Sequence, residues 1–285
     1  MKEVHSWCVS LDVSRETCAA LYATLASDER NRSARLRFER DRRRFVVAHG
    51  ALRTLLGRYL GIPPGALRFV YNPFGKPDLS PELGRLKFSL AHSADLALIA
   101  IAEDGEIGVD VELIREQSNW AAIARYFFSA AEVDQLNRLP PPLHTQAFFS
   151  CWTKKEAYVK ARGEGLALLD ETRTDALLAG RWSLSTLHPA PGYIGALAVE
   201  GRSLRLRQWH WQASAGTRRF HCDSCSEVNV GAAPPGTAGR PDAVSRSAGG
   251  GAWVSTCRCL DRARTRRPSR TADWRRAATA PSDPG

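Results

Sequence analysis

Near residue 213 the sequence stops being able to build a core. Residues 213–285 are rich in Gly, Ala, Ser, Pro and Arg, contain no Lys and show no apolar repeat. Such a segment cannot bury enough apolar surface to offset the entropy of ordering it. The expectation is a low-complexity, Arg-rich, disordered tail behind a folded region of about 212 residues, long enough for one large core or two modest ones. The tail also carries much of the charge. Twelve Arg against six acidic residues after position 213 give +6 of the net +10, leaving +4 for the folded region. That mild excess suits a polyphosphate ligand or an acidic partner protein better than nucleic acid.

Seven cysteines, an odd number, with no export signal ahead of them argue for reduced thiols. In the tail Cys222, Cys225, Cys257 and Cys259 raise a zinc reading, but the second pair is spaced C-x-C rather than C-x-x-C. The best apolar stretch, Leu96–Ala102, is far too short to span a membrane. The expected location is the cytoplasm.

Helical spacing of Phe45, Ala48, Leu52, Leu55, Leu56 and Tyr59, closed by Gly61, Pro63 and Pro64, predicts a core-facing helix over 45–60. Leu86–Leu90, Leu96–Ala102 and Ile107–Leu113 read as strands, expected to form an antiparallel meander. Ser129 and Glu132 have capping-box spacing for a short helix that the prolines at 140–142 cannot continue. A longer helix is expected over 145–162, closed by Gly163, with closing strands at 195–199 and 204–211. GEGL, Gly163–Leu166, lacks the lysine of a P-loop and reads as that helix's stop. The class is α+β.

Four motifs carry chemistry. In GVDVE, Gly108–Glu112, strand alternation sends Asp110 and Glu112 to one face and Val109 and Val111 to the core. Paired carboxylates repel unless a cation neutralises them, and oxygen-only donors suit Mg²⁺; a solvated acidic strand face is the plainer reading. In WTKKEAYVK, Trp152–Lys160, helical spacing lines up Trp152, Glu156 and Lys160, although Glu156 with Lys160 is also an ordinary surface pair. NPFGKP, Asn72–Pro77, presents Lys76 on a constrained turn, as a phosphate ligand or as an exposed loop lysine. FSLAHS, Phe88–Ser93, ends a strand with His92, a phosphate donor or a structural histidine.

Together and in this order, these motifs resemble the 4'-phosphopantetheinyl transferase superfamily, of the surfactin-synthetase type, over about residues 30–200. The resemblance implies a monomeric pseudo-dimer of two similar α/β halves, 1–105 and 106–212, the second carrying the metal carboxylates, with 213–285 as the disordered tail. It implies coenzyme A as substrate and Mg²⁺ as metal, held by Asp110, Glu112 and Glu156. Arg44, placed just before the helix at 45, with Lys76, His92 and Lys155, would contact coenzyme A. Glu156 would take the proton of a serine on an acyl or peptidyl carrier protein, and Lys160 would assist the departing 3',5'-ADP. Ala91 departs from relatives in which a serine precedes the histidine. Arg30, Arg32 and Arg35 are candidates for meeting an acidic carrier helix, or are solvated surface charges. No membrane or nucleic-acid partner is expected. The competing enzyme is a Mg²⁺-dependent nuclease or phosphodiesterase, against which stands the four-residue step from Glu156 to Lys160. The noncatalytic competitor is an Arg-tail nucleic-acid binder.

Overall fold

In the computed structural model, residues 2–116, 119–164, 182–201, 204–213 and 228–230 are described. Along the chain run β1 (Lys2–Ser10), α1 (Arg15–Thr24), α2 (Ser27–Ala34), α3 (Glu39–Leu60), β2 (Phe69–Tyr71), β3 (Pro77–Leu79), β4 (Lys87–Ser93), β5 (Leu96–Ala102) and β6 (Ile107–Leu113). There follow α4 (Trp120–Phe127), α5 (Ala130–Asn137), α6 (Pro141–Arg162), β7 (Trp182–Leu187), β8 (Tyr193–Glu200), β9 (Leu204–Trp211) and β10 (Val228–Val230). The fold is mixed α+β, and the described residues belong to one compact unit, 1–235.

Two sheets form the centre, one ordered β10-β9-β1-β5-β4 and the other β6-β8-β7. β5 shows how they share a core. Its alternate residues Ala97, Ile99 and Ile101 face α3, joining Val46, Leu52, Leu55 and Leu56. Leu96, Leu98, Ala100 and Ala102 face the other way, onto Val109 and Val111 of β6 and Leu197 and Val199 of β8. A strand buried on both faces reads as an unbroken apolar run. Each fully buried Leu or Ile contributes about 1.5–3 kcal/mol. The outer face of the second sheet, at Ala196 and Ala198, is covered by Ala157, Tyr158 and Ala161 of α6. The layers are therefore helix, sheet, sheet, helix.

The expected meander does not form. β4 and β5 do make an antiparallel pair, but β5 uses its other edge for β1. With both edges of β5 occupied, β6 cannot pair with it, and it pairs antiparallel with β8 in the second sheet. β9 crosses back to lie parallel to β1. The order β1-β5-β4 in the first sheet matches β6-β8-β7 in the second, and each trio brackets a 22-residue helix, α3 or α6.

Three boundaries move. α3 starts at Glu39, not at Phe45, with Glu39 and Asp41 favourably placed in its first turn, so Arg44 lies inside the helix. α6 starts at Pro141 rather than Thr145, because prolines in a first turn forgo only N–H groups that have no helical partner. Past Ala213, where no strand was expected, Val228–Val230 pairs antiparallel with Leu204–Leu206 as an edge strand. Gly61 and Gly163 do close their helices, at φ 69° and 66°, in the left-handed region that glycine enters without penalty. The four tail cysteines, and Gly165 and Leu166 of GEGL, lie outside the described residues.

Gly108 sets the distance between β6 and α6. A Cβ there would stand 2.0 Å from the Ala157 carbonyl oxygen and 2.3 Å from the Ala161 nitrogen, both backbone atoms of α6. No side-chain rotation relieves such a clash, so β6 or α6 has to shift. Gly108→Ala is expected to lower stability by about 1–3 kcal/mol, the range for overpacking a tight core. Urea unfolding is the check, and a midpoint equal to wild type would show that the approach is not tight.

Candidate active site

Because Gly108 lets β6 lie against α6, the carboxylates two and four residues further along the strand come to face that helix. Asp110 is buried, and its Oδ1 accepts a hydrogen bond from Lys160 Nζ at 2.6 Å. One turn back on α6, Glu156 is also buried and acts electrostatically on the same ammonium, as does Glu112. Burial opposes the charge of Lys160, but Asp110, Glu156 and Glu112 outweigh it and hold the ammonium above the usual lysine range. Glu112 shows the reverse balance. Burial first, and then Asp110, push its carboxyl above the usual range, against the hydrogen bond from Ser93 and the charges of Lys160 and Arg115. Asp110, Glu112, Glu156 and Lys160, expected from separate motifs, thus form one cluster.

Lys160 supplies the positive charge among these carboxylates in the structure. Among the described residues, no three His, Cys, Asp or Glu side chains stand ready-assembled around a metal position. The donor set is nevertheless all oxygen, drawn from a strand and a helix, which is the chemistry Mg²⁺ takes.

The other expected ligand residues lie elsewhere. Lys76 donates to the Ala161 carbonyl at 2.7 Å and to Glu106 at 2.5 Å, while Asn72 Nδ2 donates to the Gly163 carbonyl at 2.6 Å. NPFGKP therefore caps the C-terminus of α6, satisfying carbonyls the helix leaves unpaired. Lys155 is buried, with Nζ 3.0 Å from Glu132 and over the Phe128 ring at 5.5 Å. Glu132 closes the capping box with Ser129, accepting from its backbone N–H at 2.7 Å, so Lys155 ties α5 to α6. Trp152 packs against Phe127 and Phe148, bringing α4 onto the same helix.

The β4–β5 turn is the second focus. Arg44 donates from Nε and a terminal nitrogen to Asp95 Oδ1 at 2.9 and 2.7 Å. The Asp95 N–H donates to the Tyr193 hydroxyl at 3.3 Å. Ala94, between Ser93 and Asp95, has φ 46°, the one described non-glycine residue in the left-handed region. Strand alternation splits FSLAHS, sending exposed His92 to the α3 side with Phe88, and Ser93 to the β6 side with Ala91. There Ser93 Oγ donates to Glu112 Oε2 at 2.7 Å. Sequence reasoning took the histidine from this motif and passed over the serine; the signal was the shared strand face of Ser89 and Ser93, four residues apart.

An acidic strand, β6, and an acid-and-lysine helix, α6, thus meet on the outer face of the second sheet around one charged cluster. Residues 106–220 match the family model for the 4'-phosphopantetheinyl transferase superfamily. The chain is 40% identical over 219 residues to the 4'-phosphopantetheinyl transferase HetI of Nostoc sp. (strain PCC 7120), covering 73% of this chain and 92% of that protein. It is 36% identical over 138 residues to AcpT of Salmonella typhimurium, covering 47% and 70%. With the 4'-phosphopantetheinyl transferase of Bacillus subtilis the figures are 28% over 148 residues, covering 52% and 64%. The chain belongs to the 4'-phosphopantetheinyl transferase superfamily and is an enzyme of that class, transferring phosphopantetheine to a carrier protein. The nuclease reading gains nothing from these relatives. No described helix is long and apolar enough to cross a membrane.

Proposed function

We propose that this chain uses coenzyme A as donor and that the cluster of Asp110, Glu112, Glu156 and Lys160 carries the transfer. The observation that supports this is the convergence of three carboxylates on one ammonium that they keep charged. Asp110, Glu112 and Glu156 are the residues that would hold Mg²⁺, which when bound supplies positive charge to phosphoryl oxygens. Glu156 accepts the proton of the carrier serine, whose oxygen then forms a bond to the β-phosphorus of coenzyme A. The bond from that phosphorus to the bridging oxygen breaks, and 3',5'-ADP leaves. Lys160, held protonated, offers its charge to the leaving group. Arg44, His92, Lys76 and Lys155 are the proposed coenzyme A contacts. For Lys76 and Lys155 this requires exchanging the partners they have in the structure for phosphate, whereas among the described residues Arg44 has the exposed Asp95 and the neighbouring Asp41 to release.

The halves 1–105 and 106–212 form a pseudo-dimer, a reading supported by the matching strand orders and helix lengths. The protein works as a monomer in the cytoplasm. On its surface α2 offers Arg32, which lies over the Tyr71 ring at 4.6 Å beside exposed Val70 and Phe74, a basic and apolar face for an acidic carrier helix. Intact mass of an apo carrier protein tests the function. Incubation with the enzyme, coenzyme A and Mg²⁺ is expected to add one phosphopantetheine group, and EDTA to prevent it. No gain on any of several apo acyl and peptidyl carriers would overturn the reading.

A further inference from the structure

β4 and β6 run side by side where the two sheets meet, without a backbone ladder between them. Two hydroxyls bridge the gap. Ser89 Oγ accepts from the Val109 N–H at 3.0 Å, and Ser93 Oγ accepts from the Leu113 N–H at 3.2 Å. The bridges are four residues apart on each strand, so both serines project from the same face of β4. They differ in where the hydroxyl proton goes. A hydroxyl has one proton to give, and Ser93 gives it to Glu112 Oε2 at 2.7 Å. With a lone pair engaged by Leu113, the direction of that proton is set by the backbone of the very strand that carries Glu112.

We propose that Ser93 is the positioning residue of Glu112, holding its carboxylate toward Asp110 and α6 from across the seam between the sheets. The inference rests on the assignment of Glu112 to the metal carboxylates. Glu112 needs such a hold because Asp110 repels it along the same strand face. A glutamate has three rotatable bonds with which to swing away from that repulsion. Lys160 draws it back through charge, while its hydrogen bond goes to Asp110. Ser93 is the directional contact among these, and it also places Glu112 relative to the turn on which Asp95 holds Arg44.

Ser89 provides the internal control, since it makes the same bridge to β6 with no carboxylate among its described partners. The test is binding of Mn²⁺, a carboxylate-seeking stand-in for Mg²⁺, to the full chain by water-proton relaxation, with thermal unfolding of each variant. Loss of an outer partner of a metal carboxylate weakens binding about 10–100-fold, and that is the result expected for Ser93→Ala. Ser93→Thr, which keeps the hydroxyl, is expected to restore most of it. Ser89→Ala is expected to lower the unfolding temperature about as much as Ser93→Ala while leaving Mn²⁺ affinity at the wild-type value. The proposal is overturned if Glu112→Gln weakens Mn²⁺ binding and Ser93→Ala does not, or if Ser89→Ala weakens it equally, which would make the effect one of seam stability. If Glu112→Gln itself binds Mn²⁺ like wild type, the assignment of Glu112 to the metal fails, and the role of Ser93 fails with it.

Discussion

Asp110→Asn is expected to lower kcat/KM for carrier-protein modification by about 10³-fold while leaving the protein folded. The positive charge of the metal that this carboxylate would hold at the phosphoryl group corresponds to several kcal/mol, about 4 kcal/mol for a factor of 10³. Asn keeps the shape of the buried side chain. Lys160 also retains Glu156 and Glu112 as counter-charges, so its ammonium is not stranded. The measurement is the initial rate of holo carrier formation by intact mass, beside thermal unfolding. A rate within a few-fold of wild type would remove Asp110 from the reaction and with it the proposed centre of the site. Glu156→Gln should give a comparable loss, and because both residues serve one cluster, the double variant should fall far short of the product of the two effects.

The largest effect on stability is expected away from this cluster, at Arg53. Arg53 and Glu29 are each only 1% exposed and meet at 2.5 Å between Nε and Oε2. Arg53 also donates to the Pro64 and Leu67 carbonyls at 3.0 and 3.1 Å, and its guanidinium lies over the Phe69 ring at 5.0 Å. Glu29 in turn accepts from the Ala26 N–H at 3.0 Å and bonds His49 at 3.2 Å. One guanidinium thus joins α2, α3 and the segment leading to β2. Removing one member of a buried pair leaves the other charge uncompensated, at about 3–5 kcal/mol. Arg53→Ala should lower the unfolding temperature by about 8–15 °C for a domain of this size. A shift of a degree or two would mean that water reaches Glu29 readily.

The same network gives the pH dependence a sign. Burial tends to raise the Glu29 carboxyl, but the bond to His49, the Ala26 N–H and Arg53 together hold it below the usual range. A carboxyl lowered by folding contributes stability that is fully present above its unfolded value, about 4.3. That contribution is lost as pH falls through the lower folded value. Below about pH 4.3, stability should therefore decline less steeply in Glu29→Gln than in wild type. Equal slopes in urea unfolding between pH 5 and 3 would separate Glu29 from the acid response.

Local signals are legible in the sequence because their causes are local. The Ser129 capping box forms between residues three apart, Gly61 and Gly163 end helices through their own backbone freedom, and Asp110 and Glu112 share a face because a strand alternates. Glu156 and Lys160 stand one turn apart wherever that helix packs, whereas their grouping with Asp110 and Glu112, about fifty residues away, was implied by the family resemblance and not by local spacing. The partners of Lys76 and Lys155 are not legible in the sequence. Their motifs mark both as ligand contacts, and in the structure one caps α6 and the other pairs with the capping glutamate of α5. A lysine's reach of four methylenes lets its environment choose its partner, and that environment comes from elsewhere in the chain.

By itself the sequence determined the two long helices and their stops, the alternation that aims the carboxylates, and the family that these motifs resemble. Only the tertiary structure decided that β6 leaves the expected meander, because whether β5 has an edge to offer depends on β1, about 90 residues away. It likewise decided that β6 approaches α6 too closely at Gly108 for a side chain and that a serine on β4 donates to a glutamate on β6. Periodicity and capping are set by neighbours a few bonds away and survive in a string of letters. Strand edges, close approaches and hydrogen bonds across a seam are set by which distant segments compete for the same space.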